Sequence, residues 1–307
     1  MTHPLSTVFF GTHTFAATIL EGLLSQPLFS IDLVITQPDR PVGRHQEFLP
    51  SPVKVLAEKH GLAVNQPETL KTYTLKPSTY DLGIVAQYGL LIPKEILAVP
   101  KKGIINVHTS LLPKYRGASP IQTALLNGDT ETGVTIMMME EGLDTGPILL
   151  QKSLAIDPDD SYPDLDKKMA VLGTATLLEA VPLYLSNNLL PQPQDESLVT
   201  TCRQLTRDDG RVNWQRSNHE IYNQYRALTP WPGIWSTWNK QRLKLLQTYP
   251  TQKNVSPGMI LVEADRIHIG CGKDSLEITH LQLEGKKAMD AETFLRGYKN
   301  FDGQHVE

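Results

Sequence analysis

The sequence is poor in cysteine. Among 307 residues only Cys202 and Cys271 occur, and they lie far apart in the chain. A small disulfide framework needs more cysteines than this, and a metal site needs cysteines or histidines at short, regular spacing, which the sequence does not contain. We therefore expect a protein of a reducing, cytoplasmic setting that binds no metal.

The sequence also lacks the patterns of a leader, a membrane span and a nicotinamide site. Residues 1–6 have no basic region followed by an apolar stretch, and no later apolar run is expected to cross a bilayer. A predicted strand at residues 7–10 turns at Gly11, but no G-x-G-x-x-G follows. The nearest match, residues 270–275, lacks the third glycine. We expect a cytoplasmic protein that uses neither a membrane nor a nicotinamide cofactor.

Neither sign of charge is in large excess, since the net charge is −4. The charge is uneven, however: residues 201–307 carry 15 Lys and Arg against 12 Asp and Glu, whereas residues 1–200 carry 14 against 21. A basic C-terminal third favours phosphate contacts, but an excess this small is equally typical of an ordinary solvated surface.

Length and patterning predict two domains, because 307 residues with 40% hydrophobic content exceed the usual size of a single domain. Strand and helix patterns alternate over residues 1–189, which indicates an α/β fold with an open, mostly parallel, Rossmann-like sheet. Residues 190–206, rich in proline and polar residues, are predicted to be a linker. Residues 207–307 contain several short alternating runs, typical of a small β-barrel, at residues 234–238, 242–247, 258–262, 266–269 and 276–283.

The most informative stretch is residues 103–146. It begins with a predicted strand in which Asn106 and His108 interrupt an apolar run, and side chains two apart on a strand share a face. A predicted helix at 118–127 and a second strand at 132–140 lead to a glycine-flanked turn that contains Asp144. We expect a parallel strand–helix–strand crossover, which would bring Asp144 to the sheet edge where Asn106 and His108 lie.

An amide, an imidazole and a carboxylate suit acyl transfer to an amine. The amide and an imidazole N–H can donate to the oxygen of a carbonyl under attack, and an imidazole held by a carboxylate can move the proton of the amine. No serine or cysteine nucleophile is required. Taken singly, a histidine beside a strand is more often a core residue and an aspartate in a glycine turn more often forms an Asx turn.

Several motifs carry a resemblance to a known family. The run INVHTSLLPKYRGASPIQTALLNGDTETGVTIMMMEEGLDTGPIL resembles the formyltransferases that use 10-formyltetrahydrofolate. Over nearly the full length the chain is similar to the methionyl-tRNA formyltransferase branch, in GTHTFA, TQPDRPVGR, PSPVKVLAEKHGL, VAQYGLLIPKEIL, RALTPWPG and LEGKKAMDAETFLRGY. The resemblance implies transfer of the formyl group of 10-formyltetrahydrofolate to the α-amine of methionine on initiator tRNA, by direct amine attack and a tetrahedral intermediate.

The resemblance also implies roles for individual residues. Asn106, His108 and Asp144 would be catalytic, and the C-terminal domain would be an OB-like tRNA-binding domain of a monomeric enzyme. The reduced folate would be bound by Ser110, Leu111, Leu112, Pro113, Tyr88, Gly89, Leu90 and Leu91. The methionyl initiator tRNA would be contacted by Arg44, Arg203, Arg207, Lys286 and Lys287. Residues 45–48 read HQEF where family members carry a glycine and lysines, which predicts weaker phosphate attraction in this loop.

Two alternatives stay open at this point. The same three residues would serve a formyltransferase of a small amine, such as an amino-sugar nucleotide, without any RNA. A non-catalytic folate- or RNA-binding module would tolerate the loss of His108. A metal-dependent hydrolase is disfavoured, because no His or Cys pair has the spacing of metal ligands.

Overall fold

The computed structural model describes residues 3–42, 47–76 and 79–307. Arg44 therefore lies outside the described residues. The chain forms two compact units. The first comprises Met1–Pro120, Glu131–Ala155 and Asp166–Arg203, and the second comprises Ile121–Thr130, Ile156–Leu165 and Gln204–Glu307. Two short segments before residue 166 thus group with the C-terminal unit, whereas the domain limits inferred from the sequence stay a prediction.

The first unit is built on a seven-stranded sheet. The strands of this part of the chain are β1 (Leu5–Gly11), β2 (Phe29–Ile35), β3 (Arg40–Val42), β4 (Glu47–Leu49), β5 (Val64–Asn65), β6 (Leu82–Ala86), β7 (Ile104–His108), β8 (Arg116–Gly117), β9 (Glu131–Met138), β10 (Ile148–Ala155) and β11 (Thr201–Cys202). The order across the large sheet is β10-β9-β7-β6-β1-β2-β5, while β3 pairs with β4 and β8 with β11. Five neighbouring strands, from β5 to β7, are parallel. The predicted α/β fold with a mostly parallel sheet is confirmed.

One predicted connection is wrong. Strand β9 runs antiparallel to β7, with Asn106 opposite Met137 and His108 opposite Thr135, and β10 runs antiparallel to β9. Residues 121–130, which include most of the intervening helix, group with the second unit. A helix that does not pack on the sheet as a crossover leaves the next strand free to return in the opposite direction.

The helices of the first half are α1 (Thr14–Leu24), α2 (Pro52–Lys59), α3 (Lys94–Leu97), α4 (Pro120–Asn127) and α5 (Tyr162–Leu185). Helix α2 begins as its sequence predicts. The Ser51 side chain accepts a hydrogen bond from the Lys54 N–H at 3.0 Å, and Pro52 occupies the first turn, where its missing N–H costs nothing.

The central sheet is covered on both faces. On one face Val8, Phe10, Val85 and Ile104 belong to a buried cluster that also takes in residues of the loops around α3. On the other face α1 and α5 pack over the sheet, and Gly173 of α5 allows close approach: a Cβ there would lie 3.0 Å from Cγ1 of Val107. Strands buried on both sides read as continuous apolar runs, which is why β1 and β6 are recognisable in the sequence.

The expectation that no apolar run could cross a bilayer is wrong for helix α5. Its 24 residues include a window of mean hydropathy 1.3, so by length and composition alone it could cross a bilayer. Its buried residues Leu165, Met169, Leu177 and Val181 recur at helical spacing. A core helix of a globular protein meets the same criterion, and the contact of Gly173 with the sheet indicates that α5 is such a helix.

The second unit contains a six-stranded sheet in which every pairing is antiparallel. Its elements are α6 (Asn218–Leu228), β12 (Ile234–Trp238), β13 (Gln241–Thr251), β14 (Ile260–Glu263), β15 (Arg266–Gly270), β16 (Ser275–Leu283), β17 (Met289–Asp290) and α7 (Ala291–Gly297). The order is β12-β13-β16-β15-β14, and β17 also pairs with β16. The short runs predicted as five strands are confirmed; β17, of two residues, was missed because so short a run carries no periodicity.

Two side-chain features stabilise this unit. The rings of Trp238, Phe294, Tyr298 and Phe301 pack with centroid separations of 4.4–6.2 Å. At the start of α6, the Ser217 hydroxyl and the Glu220 carboxylate form a capping box.

Candidate active site

Strand β7 holds Asn106 and His108 inside an otherwise apolar environment. The two residues are 8% and 5% exposed, and they share the face of the sheet on which Ile104 is buried. In the part of the chain that the structure describes, no group hydrogen-bonds the side-chain amide of Asn106. The amide is therefore held on a buried strand, and its donors are unused among the described residues.

His108 and Asp144 lie next to each other, as the sequence predicted. His108 Nδ1 is 3.7 Å from Asp144 Oδ1, and the two side chains are 6% and 12% exposed. On the other side of the ring, His108 Nε2 donates to the carbonyl oxygen of Tyr115 at 3.1 Å. A carbonyl only accepts, so Nε2 carries a proton, and Nδ1 is the ring nitrogen that faces the carboxylate.

Asp144 reaches the histidine through a hairpin loop rather than from the end of a parallel strand. The loop joins β9 to β10 and is closed by a hydrogen bond from Met138 N to Pro147 O at 2.9 Å. Asp144 has a φ of 52°, in the left-handed region, and its Oδ2 accepts from Gly117 N at 2.8 Å. At Gly146 a Cβ would lie 1.9 Å from Met138 O, so the turn requires glycine there. The expected meeting of the residues occurs, but by a different route.

The loop after β7 is fixed by hydrogen bonds from the neighbouring strands. Thr135 Oγ1 donates to Ser110 O at 2.6 Å and accepts from Leu112 N at 3.1 Å, and Gln151 Nε2 donates to Leu112 O at 2.8 Å. The Ser110 hydroxyl is used within the loop, since it donates to Lys114 O at 2.5 Å. Of the residues predicted to bind folate here, Ser110 and Leu112 are buried, while Leu111 and Pro113 remain partly exposed.

A cleft of about 490 Å³ adjoins the turn that carries Asp144. It is lined by Lys94, Leu97, Ala98, Met139, Glu140, Glu141 and Gly142. Lys94 and Glu141 approach to 3.6 Å across it as an exposed ion pair. Met139 N donates to Ile104 O, so the cleft lies beside the start of β7, whereas His108 is at its end.

The four predicted residues 88–91 lie in different environments. Tyr88 is a core residue: it is 2% exposed, its ring packs edge-on against Phe10 at 5.6 Å, and burial raises the pKa of its hydroxyl to about 12. Its carbonyl accepts from Thr12 Oγ1 and Gln37 Nε2. Gly89 has a φ of 83°, Leu90 is partly buried against the core, and Leu91 is 81% exposed. Only the last three are in a position to touch a ligand at the surface.

The predicted RNA contacts that the structure describes are all at the surface. Arg203 lies at the end of the first unit, and Arg207, Lys286 and Lys287 belong to the second. All four are exposed. Their predicted role stays a prediction, as does that of Arg44.

Two residues near the site were not anticipated. Arg116, only 5% exposed, and Gln194, in the segment interpreted as a linker, hydrogen-bond each other beside the Asp144 turn. They are 78 residues apart, so no local pattern could reveal the contact. No cluster of three or more His, Cys, Asp or Glu residues within residues 3–42, 47–76 and 79–307 is placed to hold a metal ion.

Comparisons with known proteins show which family the chain resembles. Residues 5–181 match the formyl transferase domain, and residues 204–299 match the formyl transferase C-terminal domain. The chain is 44% identical over 314 residues to a methionyl-tRNA formyltransferase of Dehalococcoides mccartyi, covering 98% of both chains. It is 42% identical over 297 residues to a methionyl-tRNA formyltransferase of Citrifermentans bemidjiense, covering 95% of this chain and 93% of the relative.

A solved structure shares the fold. It is an N-formyltransferase from Helicobacter canadensis in complex with folinic acid and dTDP-3-aminofucose, with a TM-score of 0.68, 22% identity, and coverage of 89% of this chain and 98% of that one. At this identity the likeness speaks for the fold alone. The two domain matches and the identity over nearly the whole length establish that the chain belongs to the formyl transferase family.

Proposed function

We propose that this protein transfers the formyl group of 10-formyltetrahydrofolate to the α-amine of methionine on initiator tRNA. The observation that carries the proposal is the 3.7 Å approach of His108 to Asp144 in the first unit, with Asn106 two residues before His108 on the same face of β7. The acceptor is inferred from relatives of 42–44% identity that are named methionyl-tRNA formyltransferases over nearly the same length.

The reaction needs donors for a developing oxyanion. As the amine nitrogen bonds to the formyl carbon, the carbonyl oxygen gains negative charge, and the amide N–H of Asn106 stabilises it. His108 supplies the second donor once its Nδ1 has accepted the proton of the attacking amine. The 3.7 Å separation between Nδ1 and Asp144 Oδ1 is longer than a hydrogen bond, so Nδ1 keeps a site open to the substrate.

Proton transfer completes the exchange. The attacking amine loses a proton when its bond to carbon forms, and the folate nitrogen gains one when its bond to the same carbon breaks. We assign this transfer to His108 and Asp144, in which the carboxylate stabilises the positive ring. Burial of both side chains strengthens that attraction, because a site with little water screens charges weakly.

The reduced folate is assigned to the loop after β7 and to residues 88–91. Leu111, Pro113 and Leu90, which are partly exposed, would form the apolar walls against a flat ring system. Ser110, Leu112 and Tyr88 would act by supporting the walls, because their side chains are buried.

The tRNA is assigned to exposed cations. Arg203, Arg207, Lys286 and Lys287 are at the surface, and we propose that they and Arg44 contact phosphates. Phosphate contacts release bound counterions, so binding of charged initiator tRNA should weaken steeply with salt.

The test offers labelled formyl-folate with charged initiator tRNA, charged elongator tRNA and free amino-sugar nucleotides. Label on initiator methionine supports the proposal, label on the amino sugar identifies a small-amine enzyme, and no transfer at all indicates a binding module. Asn106→Ala should lower the single-turnover rate by about a hundredfold or more, because it removes an oxyanion donor. Asn188→Ala, at an exposed asparagine, is the matched control. A wild-type rate for Asn106→Ala would contradict the assigned role.

A further inference from the structure

The segment interpreted as a linker is attached to the candidate active site along much of its length. Gln192 and Ile148 exchange two backbone hydrogen bonds, of 2.7 and 2.8 Å, just after the Asp144 turn. Farther on, β11 pairs with β8, which includes Gly117, the residue that donates to Asp144. Gln194 lies between these two attachments.

The side chain of Gln194 bridges the two halves of the site. Its Nε2 donates to Asp144 O at 2.7 Å and to Gly146 O at 2.8 Å. Its Oε1 accepts from Arg116 Nε at 3.0 Å and from Arg116 Nη2 at 2.8 Å. Carbonyls only accept and a guanidinium only donates, so the orientation of this amide is determined by its partners, and all of its hydrogen-bonding capacity is used.

Arg116 is itself held in place. Its side chain is 6% exposed and contacts the Glu196 carboxylate through Nη2 at 2.7 Å and Nη1 at 3.2 Å. This hydrogen-bonded arginine lowers the pKa of Glu196, which keeps the carboxylate ionised. The amide oxygen of Gln194 therefore meets a fixed, charged donor.

The turn needs such support. Asp144 occupies the left-handed region with a φ of 52°, a conformation that costs a side-chain-bearing residue about 1 kcal/mol or more. Without Gln194, the carbonyls of Asp144 and Gly146 would lose this side-chain donor. The direction in which the Asp144 carboxylate points depends on the backbone conformation of the turn that contains these two carbonyls.

We propose that Gln194 is a positioning residue, which holds the Asp144 turn in the conformation that presents the carboxylate to His108. The effect on catalysis rests on the proposed function, whereas the effect on the conformation of the turn does not. Within the turn Gln194 hydrogen-bonds backbone carbonyls, and it takes no part in the chemistry itself.

The decisive variant is Gln194→Glu. A glutamate keeps the size of the side chain and can pair with Arg116, but it has no N–H to give to Asp144 O and Gly146 O. We expect kcat to fall by roughly ten- to a hundredfold, since small misplacements of reacting groups have effects of this size, with the KM for folate within about threefold of wild type. Gln192→Glu is the matched control: it makes the same change two residues away, where the side chain is exposed and its Nε2 donates to Leu190 O. Equal rates for the two variants would overturn the inference.

Two further measurements separate positioning from a general loss of stability. In an Asp144→Ala background, Gln194→Glu should lower the rate no further, because a residue that acts through Asp144 has nothing left to position. Additive losses would contradict the inference. Gln194→Met, of similar size and uncharged, should show the same pattern and serves if the glutamate variant does not fold.

A structural readout keeps this inference distinguishable from the proposed function. Hydrogen exchange of the amides of residues 141–146 should be faster in Gln194→Glu than in wild type, with β1 and β6 unchanged. Unchanged exchange in the turn would refute the positioning role whatever the activity. Faster exchange in a protein that transfers no formyl group would leave the positioning role intact and reject the proposed function instead.

Discussion

Replacement of Asp144 by asparagine isolates the charge of the carboxylate from its shape. Asparagine tolerates the left-handed φ of 52° that Asp144 adopts, and its oxygen can still accept from Gly117 N at the present 2.8 Å. The fold of the turn should therefore survive. What is lost is the attraction between the carboxylate and the positive ring of His108.

The size of that loss follows from the distance. With 3.7 Å between His108 Nδ1 and Asp144 Oδ1, an effective dielectric constant of about 20 gives an attraction of about 4.5 kcal/mol for full charges. If half a positive charge develops on the ring at the transition state, the loss is about half of this. The expected decrease in rate is then between about 40-fold and about 2,000-fold.

The assay is single-turnover formylation with enzyme in excess, beside thermal unfolding by circular dichroism. Asp144→Asn should be slow and should unfold within a few degrees of wild type. Asp265→Asn is the control, because Asp265 also has a positive φ, of 60°, but is exposed in the second unit. A rate within threefold of wild type for Asp144→Asn would show that the charge does not act through His108.

Three further predictions concern stability and reactivity. Gly117→Ala should lower both Tm and activity, because the φ of Gly117 is 125° and a Cβ would lie 2.1 Å from Cys202 O. Gly61→Ala is the control: Gly61 has open space around it, so the substitution should lower the free energy of unfolding by only about 1 kcal/mol. Equal effects of the two substitutions in thermal unfolding would contradict the steric argument. Burial raises the pKa of Asp166, so the folded state binds the proton of this carboxyl group more tightly than the unfolded state does. The stability of the protein therefore declines as pH rises above about 4. In denaturant titrations Asp166→Asn should be more stable than wild type at pH 7, and the difference should disappear at lower pH. Burial also raises the pKa of the Cys271 thiol to about 12, so alkylation at pH 8 should be slow in native protein and fast in denaturant, and rapid native labelling would refute this.

The sequence allowed much of the fold to be predicted where patterns are local. Asn106 and His108 stand out because they interrupt a buried strand, and the period of two places them on one face. The direction of β9 could not be predicted in the same way, since a strand, a helix and a strand have the same residue pattern whether the second strand is parallel or antiparallel. The observed pairing of β9 with β7 distinguishes the two arrangements.

The reacting groups of the candidate site could be predicted from the sequence, but the residues that hold them in place could not. Asp144 was found through its glycine turn, whereas Thr135, Arg116 and Gln194 act through hydrogen bonds to residues 25–78 positions away in the sequence. A proline-rich polar segment is typical of a linker, and nothing within residues 190–206 distinguishes a free linker from one that hydrogen-bonds along a sheet edge.

The pairing of β11 with β8 has a practical consequence for dividing the chain. Expression of the catalytic half alone, cut after residue 189 where the composition changes, would discard Gln194, Thr200 and Cys202. The backbone N–H groups of Tyr115 and Arg116 would then lose Thr200 as their acceptor, and that of Ala118 would lose the Cys202 carbonyl. A fragment that keeps its turn and its loop in register should extend at least through Arg203.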